Sequence, residues 1–382
     1  MAGNFSNKTV GILGGGQLGR MFIQSAIDFN IDVKILDPDP SAPCKSIASE
    51  FECGSLKDYD TVLNFAQGID VLTVEIENVN AEAMQVLADG GLKVFPKPAT
   101  IAMIQDKRLQ KKFYEENGIP TAPYILLEKG GDELLQYKDR LPAVQKAGRD
   151  GYDGRGVKVI NSEADIKDAL QTPGLLEEKV KIFKEISIII ARNESGDVAA
   201  YPPVELVYHE GQNMVDTLIA PADIPAAYAE KANKIARDLV EKLDYVGLLA
   251  VEMFTTAEGD VLVNEIAPRP HNSGHQTIES NITSQYEQHL RSILDMPLGS
   301  TKLTSPSAMV NLLGEPQHTG EAYYDGFDKV LQEEGIHIHL YGKKITKPYR
   351  KMGHVTVTGD SREELVEKID KVKKHCRIIT QP

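Results

Sequence analysis

The chain reads as a mixed α/β and α+β protein whose parallel sheet comes first, and three observations support this. Strand-like apolar runs alternate with amphipathic stretches over residues 9–95. A glycine-rich, charged loop separates two short strands near residue 150. Farther on, within residues 246–275, a hairpin pattern carries two glutamates that its register sets against each other.

With 382 residues, 41% apolar and 26% charged, the chain has room for two or three domains with buried cores. Its net charge of −14 argues against nucleic acid and against an anionic membrane surface as partners. No apolar run is long enough to span a bilayer, and the start of the chain lacks the charged-then-apolar layout of a signal peptide. Cys44, Cys53 and Cys376 are too few, and odd in number, for a disulfide framework. No Cys/His cluster has zinc spacing, and a reducing cytoplasm is the expected location.

In order along the chain, residues 9–13 form a strand, Gly14-Gly15-Gly16-Gln17-Leu18-Gly19 a tight turn, 20–29 a helix and 32–36 a second strand ending at Asp37. This opening is Rossmann-like. Glycines at such a turn let the backbone approach a phosphate, and the N–H groups of the helix start point at it. Asp37 matches the ribose-binding position of dinucleotide enzymes, so the turn taken alone is also compatible with NAD. Helices at 59–66 and 81–87 alternate with strands at 70–75 and 93–95, which extends the parallel sheet. Glu75, Glu77 and Asn78 then lie at a carboxyl end, where ligands of such sheets bind.

A charged helix at 106–117 leads to the breaker Gly118–Pro123, and a smaller α/β unit runs to about residue 180. Its strand 142–146 ends in Lys146, and Gly148–Val157 supplies four glycines among charged residues before the next strand. Such a loop suits a lid that folds over an anion, although it is not the Walker pattern. From about residue 175 strands dominate: 176–180, 184–192, 198–201 and 204–208, then one long helix at 222–243.

The hairpin follows, with strands 246–255 and 261–266 around Glu258-Gly259. If the turn centres there, opposed residue numbers sum to 517 and Glu252 faces Glu265. Like charges so placed repel, and a cation between them, Mg²⁺ with a nucleotide phosphate, removes the penalty. Asn264, Arg269, His271, Asn272 and His275 crowd the same stretch, too polar for a core turn. A helix at 276–295, strands at 309–313, 336–341 and 353–358 and a helix at 362–374 complete the chain. Between the last two strands, Lys343, Lys344, Lys347, Arg350 and Lys351 form a basic cluster suited to phosphate or carboxylate.

This ordered set resembles the ATP-grasp superfamily. Within it, the stretches GILGGGQLGRM (11–21), VEIENV (74–79), GIPTAPY (118–124), DGYDGRG (150–156), NEIAPRPHNSGH (264–275) and RKMGHVTV (350–357) resemble the 5-(carboxyamino)imidazole ribonucleotide synthase family. They cover nearly the whole chain in the family's order. Asp150 departs from a glycine often seen before the lid. Lys107-Arg108 stands where one basic residue is usual, which leaves the choice between the two open.

The resemblance implies an ATP-grasp fold behind a Rossmann-like (pre-ATP-grasp) domain at 1–105, a small lid domain at 106–180 and a C-terminal ATP-grasp domain at 181–382, with 336–382 a terminal α/β subregion. It implies an ATP-dependent ligase that carboxylates aminoimidazole ribonucleotide with bicarbonate through carboxyphosphate, in purine biosynthesis, as a cytoplasmic homodimer. Glu252 and Glu265 would hold Mg²⁺, with Asn264 beside them. Lys146 and Lys107 or Arg108 would contact the ATP phosphates, and Gly151, Tyr152, Asp153, Gly154, Arg155, Gly156 and Val157 would close over them. Glu177, Glu178, Lys179 and Val180 would pass along the adenine edge, Glu185 would take the ribose hydroxyls, and His209 would lie on the nucleotide side. Arg269 and His271 would serve bicarbonate and carboxyphosphate as catalytic residues, together with Lys351. Gln17, Leu18, Arg350 and Lys351 would take the ribonucleotide 5′-phosphate, and Glu75, Tyr152, Asp153 and Arg155 its ring and ribose.

Overall fold

In the computed structural model, which describes residues 7–149, 151, 156–208 and 215–381, the first unit is a five-stranded parallel sheet. Its spatial order is Glu50–Cys53, Asp32–Asp37, Thr9–Leu13, Val71–Val74, Lys93–Val94. Val71–Val74 is buried throughout, as a strand covered by helices on both faces must be. The sequence did not single out Glu50–Cys53, because an edge strand needs only partial burial and its Glu-Phe-Glu-Cys pattern is mostly polar. Local capping sets the helix starts. Asp58 accepts from the Thr61 N–H, Asn80 from Ala83 and Asp106 from Arg108, opening Tyr59–Phe65, Ala81–Asp89 and Lys107–Glu116.

A four-stranded antiparallel sheet comes next, ordered Tyr124–Leu127, Gly174–Glu178, Ala143–Ala147, Val157–Ile160. The largest sheet has nine strands. From the edge inward run Val261–Ala267, Gly247–Thr256, Ile182–Arg192 and Val204–Tyr208, and then Val215–Ala220, Ser307–Leu313, Lys351–Thr358 and Ile336–Leu340, with Val198–Ala200 paired to Ile182–Arg192. The long helix Ala226–Lys242 buries Ala232, Ile235, Ala236, Leu239 and Val240 against this sheet. A three-stranded sheet of Ile345–Thr346, Gly320–Asp325 and Arg377–Thr380 lies at the end of the chain. Among the described residues, no helix is long and apolar enough to cross a membrane.

The single helix expected at 276–295 is two, Thr277–Ser280 and Gln285–Ile293. Asn281 leaves the helix to bridge Leu303, and the Ser284 hydroxyl caps a fresh start by accepting from the Glu287 N–H. The second helix packs on the first helix of the chain, Gln17–Asp28, with Phe22, Tyr286, Leu290 and Ile293 in one core. His289 extends this contact into polar chemistry. Its Nδ1 accepts from the Leu248 N–H at 3.2 Å, so Nε2 carries the proton and faces Thr73 Oγ1 at 3.0 Å. Burial pushes the ring down to about 3, so it stays neutral. One imidazole thus ties the parallel sheet to the large sheet.

His289→Ala opens a cavity and strands the Leu248 N–H, and should cost about 2–4 kcal/mol of stability. Chemical denaturation of both proteins measures it, and a loss under about 0.5 kcal/mol would show that the ring does not couple the sheets.

Candidate active site

The site grows from the edge hairpin. Glu252 pairs with Glu265 across the ladder, but the register shifts by one between there and the Met253–Val263 pair, so Asn264 is the extra residue of a β-bulge. In a regular strand Asn264 and Glu265 would point to opposite faces. The bulge lets both reach one place: Lys146 Nζ donates to Asn264 Oδ1 at 2.8 Å and Lys107 Nζ to Glu265 Oε2 at 2.5 Å. The glutamate pair was legible in the sequence but the bulge was not: opposed numbers sum to 516 next to the turn, and only the extra residue Asn264 brings Glu265 opposite Glu252.

The two carboxylates share the repulsion unequally. The Lys107 ammonium beside Glu265 holds its carboxyl well below the usual range. Burial, and then the charge on Glu265, push Glu252 up to about 8. Glu185, two residues from Ser187 on the neighbouring strand, faces the same side as Glu252, and burial raises it too. The Tyr208 hydroxyl bonds to Glu185, a partner that sequence reasoning missed. Two carboxylates and the Asn264 amide oxygen are hard donors of the kind Mg²⁺ accepts alongside phosphate oxygens and water. Among the described residues no group of three acidic, His or Cys side chains forms a complete metal cage, so these donors suit a cation shared with a ligand.

Of Lys107 and Arg108, only the lysine reaches the pair. Arg108 folds back on Asp106 through Nε and Nη2, at 3.0 and 2.7 Å. Lys146 also lies 2.7 Å from Glu177 Oε2, and Val157 is its ladder partner. Residues 177–180, expected along the adenine edge, divide at a strand end. Glu177 and Glu178 belong to a strand flanked on both sides, and the Glu178 N–H already bonds to Pro123 O at 2.9 Å. Only Lys179 and Val180 lie past the strand end. Gly151 and Gly156 are described, whereas Tyr152, Asp153, Gly154, Arg155 and His209 lie outside the described residues.

His271 meets the pair from the other side. The Ser273 N–H donates to its Nδ1 at 3.3 Å and the Ser273 hydroxyl lies 2.9 Å away, which puts the ring proton on Nε2, 3.7 Å from Glu252 Oε1. Ser273 in turn bonds Ser187, on the strand beside Glu252. Arg269 pairs with Glu77 at 2.9 Å and so joins the hairpin loop to the parallel sheet's carboxyl end. Behind this loop the rings of His275, His354 and His339 stack with centroids 4.6 and 4.5 Å apart, and the Tyr286 and Tyr341 hydroxyls meet His275 and His354.

The glycine turn differs most from its reading. Glu75 Oε2 accepts from the Gly16 N–H at 2.5 Å and Oε1 from Leu18 at 2.9 Å, so its own carboxylate sits on the helix start. A Cβ at Gly16 would lie 2.5 Å from Glu75 Oε1, which explains the glycine. Asp37 accepts from the Gly15 N–H at 2.7 Å instead of standing open to a ribose. Glu75 is therefore a cap, and Leu18 spends its N–H on it. The signal was the helix start itself, which attracts a protein carboxylate as readily as a phosphate. Lys343, not Arg350 or Lys351, reaches Gln17, donating to its Oε1 at 2.9 Å and to the Lys351 carbonyl at 2.8 Å. Arg350 donates to Ile345 O at 2.6 Å. The Lys351 charge is felt at Glu252, which it lowers.

Three family models match the chain: a ribonucleotide synthetase preATP-grasp domain over residues 7–105, an ATP-grasp domain over 112–286 and a phosphoribosylaminoimidazole carboxylase C-terminal domain over 307–368. The N5-carboxyaminoimidazole ribonucleotide synthase of Bacillus subtilis is 37% identical over 372 residues, 96% of this chain and 95% of that protein. The phosphoribosylaminoimidazole carboxylase of Ogataea methanolica is 39% identical over 93% of this chain but 67% of its own length, so the chain spans about two thirds of such longer relatives. The crystal structure of the Thermotoga maritima N5-carboxyaminoimidazole ribonucleotide synthetase superposes with a TM-score of 0.91 at 42% identity, covering 98% of this chain and all of that one. The Aspergillus clavatus N5-carboxyaminoimidazole synthase in complex with ADP and 5-aminoimidazole ribonucleotide superposes at 0.86 and 34% identity, over 96% of this chain and 100% of that one.

The raised carboxyl of Glu252 gives a signed pH effect. Its contribution to stability is full below the ordinary value of 4.5 and is lost as pH climbs through about 8. Glu252→Gln removes the group that must ionise. Melting curves from pH 5 to 9 should therefore show the variant gaining on the parent by a few degrees toward the alkaline end. A gap that is constant with pH would contradict the raised value.

Proposed function

Because the chain belongs to the N5-carboxyaminoimidazole ribonucleotide synthase family of ATP-grasp enzymes, we propose that it is an ATP-dependent ligase that carboxylates 5-aminoimidazole ribonucleotide with bicarbonate in purine biosynthesis. The observation that carries this reading is the convergence of Lys107, Lys146 and Asn264 on the opposed pair Glu252 and Glu265. That set supplies cations for phosphates and hard oxygens for a metal in one place. A bicarbonate oxygen attacks the γ-phosphorus of ATP, the bond to ADP breaks, and carboxyphosphate forms. The exocyclic amine of the ribonucleotide attacks the carbon of carboxyphosphate, or of CO₂ released from it. Phosphate leaves and the amine gives up a proton.

Phosphoryl transfer asks a protein mainly for charge and position. Lys146 and Lys107 take the phosphates, Glu185 the ribose hydroxyls, and the backbone of Glu177, Glu178, Lys179 and Val180 the adenine edge. Mg²⁺, held by Glu252 and Glu265 with Asn264 beside them, would neutralise charge on the transferred group. Residues 151–157 close over the nucleotide and keep water from the intermediate. Arg269 holds the bicarbonate or carboxyphosphate anion, and the Nε2 proton of His271 serves its oxygens. The ribonucleotide phosphate lies among Gln17, Leu18, Arg350 and Lys351, with Lys343 added. Glu75, Tyr152, Asp153 and Arg155 would serve its ring and ribose, and His209 the nucleotide. The protein acts in the cytoplasm as a homodimer, its three units divided at about residues 105 and 180.

ADP release measured with each substrate omitted in turn tests the assignment. Turnover that ignores aminoimidazole ribonucleotide but responds to another amine would sink it. Glu265→Gln should fold and lose about 100-fold or more in turnover, the several kcal/mol that charge neutralisation of a phosphoryl group is worth. Wild-type activity in that variant would remove the carboxylate pair from the mechanism.

A further inference from the structure

Lys111 has none of the roles above, yet its side chain is only 3% exposed. It lies one helical turn beyond Lys107, on the same face of Lys107–Glu116. An ammonium taken out of water is costly unless its partners are good. Its partners are specific. Nζ lies 2.7 Å from Glu177 Oε1, and the other oxygen of that carboxylate lies 2.7 Å from Lys146 Nζ. The three side chains are 3%, 4% and 10% exposed, so little water screens them. Lys111 also donates to Thr121 Oγ1, whose hydroxyl donates to Val263 O at 2.7 Å, beside the Asn264 bulge. One carboxylate is therefore shared between two lysines, one on each oxygen, and both lysines are tied to the same stretch of hairpin.

We infer that Lys111 is a positioning residue for ATP: by holding one oxygen of Glu177 it keeps that carboxylate from capturing Lys146, whose ammonium stays directed at Asn264 and the phosphates. Without Lys111 the whole charge of Glu177 falls on Lys146. The pair tightens, and a phosphate must then compete with a buried, undivided counter-ion. The inference rests on the nucleotide role given to Lys146 under the proposed function, and the test separates the two.

Steady-state kinetics against ATP are measured for Lys111→Met, Lys146→Met and the double variant Lys111→Met/Glu177→Gln, with melting curves for each. Lys111→Met should raise the KM for ATP about tenfold while kcat at saturating ATP stays within about threefold, the signature of lost binding of the nucleotide. The double variant lacks the competing carboxylate and should bring the KM back to within about threefold of the parent. A lysine that merely supports the fold predicts the reverse, with the double variant at least as impaired as the single. That result overturns the inference, as does a failure of both variants to fold. If Lys111→Met alone fails to fold, the double variant decides by the same threefold limit. An unchanged KM in Lys146→Met would overturn the nucleotide role of Lys146 and the inference with it. An unchanged KM in Lys111→Met beside an impaired Lys146→Met overturns the inference alone.

Discussion

Two carboxylates opposed across a β-ladder set the terms for everything around them. At a separation of about 5 Å and an effective dielectric of about 20, their repulsion is on the order of 3 kcal/mol. The protein removes it twice over. Burial drives Glu252 toward its protonated form, and Lys107 stands against Glu265. The lysine comes from a helix outside the large sheet, and Lys146 beside it comes from the four-stranded sheet. Holding the glutamate pair therefore fixes how those elements meet the hairpin.

That delivery depends on Asp106, which is 2% exposed. Its carboxylate caps the helix by accepting from the Arg108 N–H, binds the Arg108 guanidinium twice and takes Arg149 Nε at 3.1 Å. With Arg108 held there, the residue before it is turned the other way, toward Glu265. A cap residue thus decides which of two adjacent cations enters the site. A planar guanidinium matches a carboxylate in two-point contact, whereas a lysine is a point charge that one ligand can draw from another. The helix start sorts the two accordingly.

The sequence made legible what depends on short periods. A hairpin register counted from Glu258-Gly259 set Glu252 against Glu265, and the glycine turn announced a helix start that holds an anion. What it could not show is which partner a group finds across the chain. The anion on the turn is Glu75, from the end of the strand that pairs beside it. Asn264 joins Glu265 only because of a bulge, and nothing in the residues around it marks one. Lys111, an i, i+4 neighbour of Lys107, was not singled out in the sequence, because its burial and its shared carboxylate come from strands far along the chain. The helix expected over 276–295 erred for a local reason: its polar Asn281–Ser284 segment fits the apolar spacing yet caps better than it continues.

These internal partnerships alter how affinity should be understood here. Lys107 is held by Glu265, Lys146 by Glu177 and Asn264, Arg269 by Glu77, and the first helix by Glu75. A ligand that engages such groups exchanges one ion pair for another, so the net gain is a difference between two large terms. A phosphate alone could draw Lys107 away but would leave Glu265 facing Glu252 without a counter-charge. A cation alone could meet the glutamates but would leave the lysine displaced and uncompensated. Only a ligand bringing both signs, polyphosphate together with a divalent metal, satisfies each group that it separates. The pairing that stabilises the hairpin thereby becomes a selectivity filter for metal-bound nucleotide over either component.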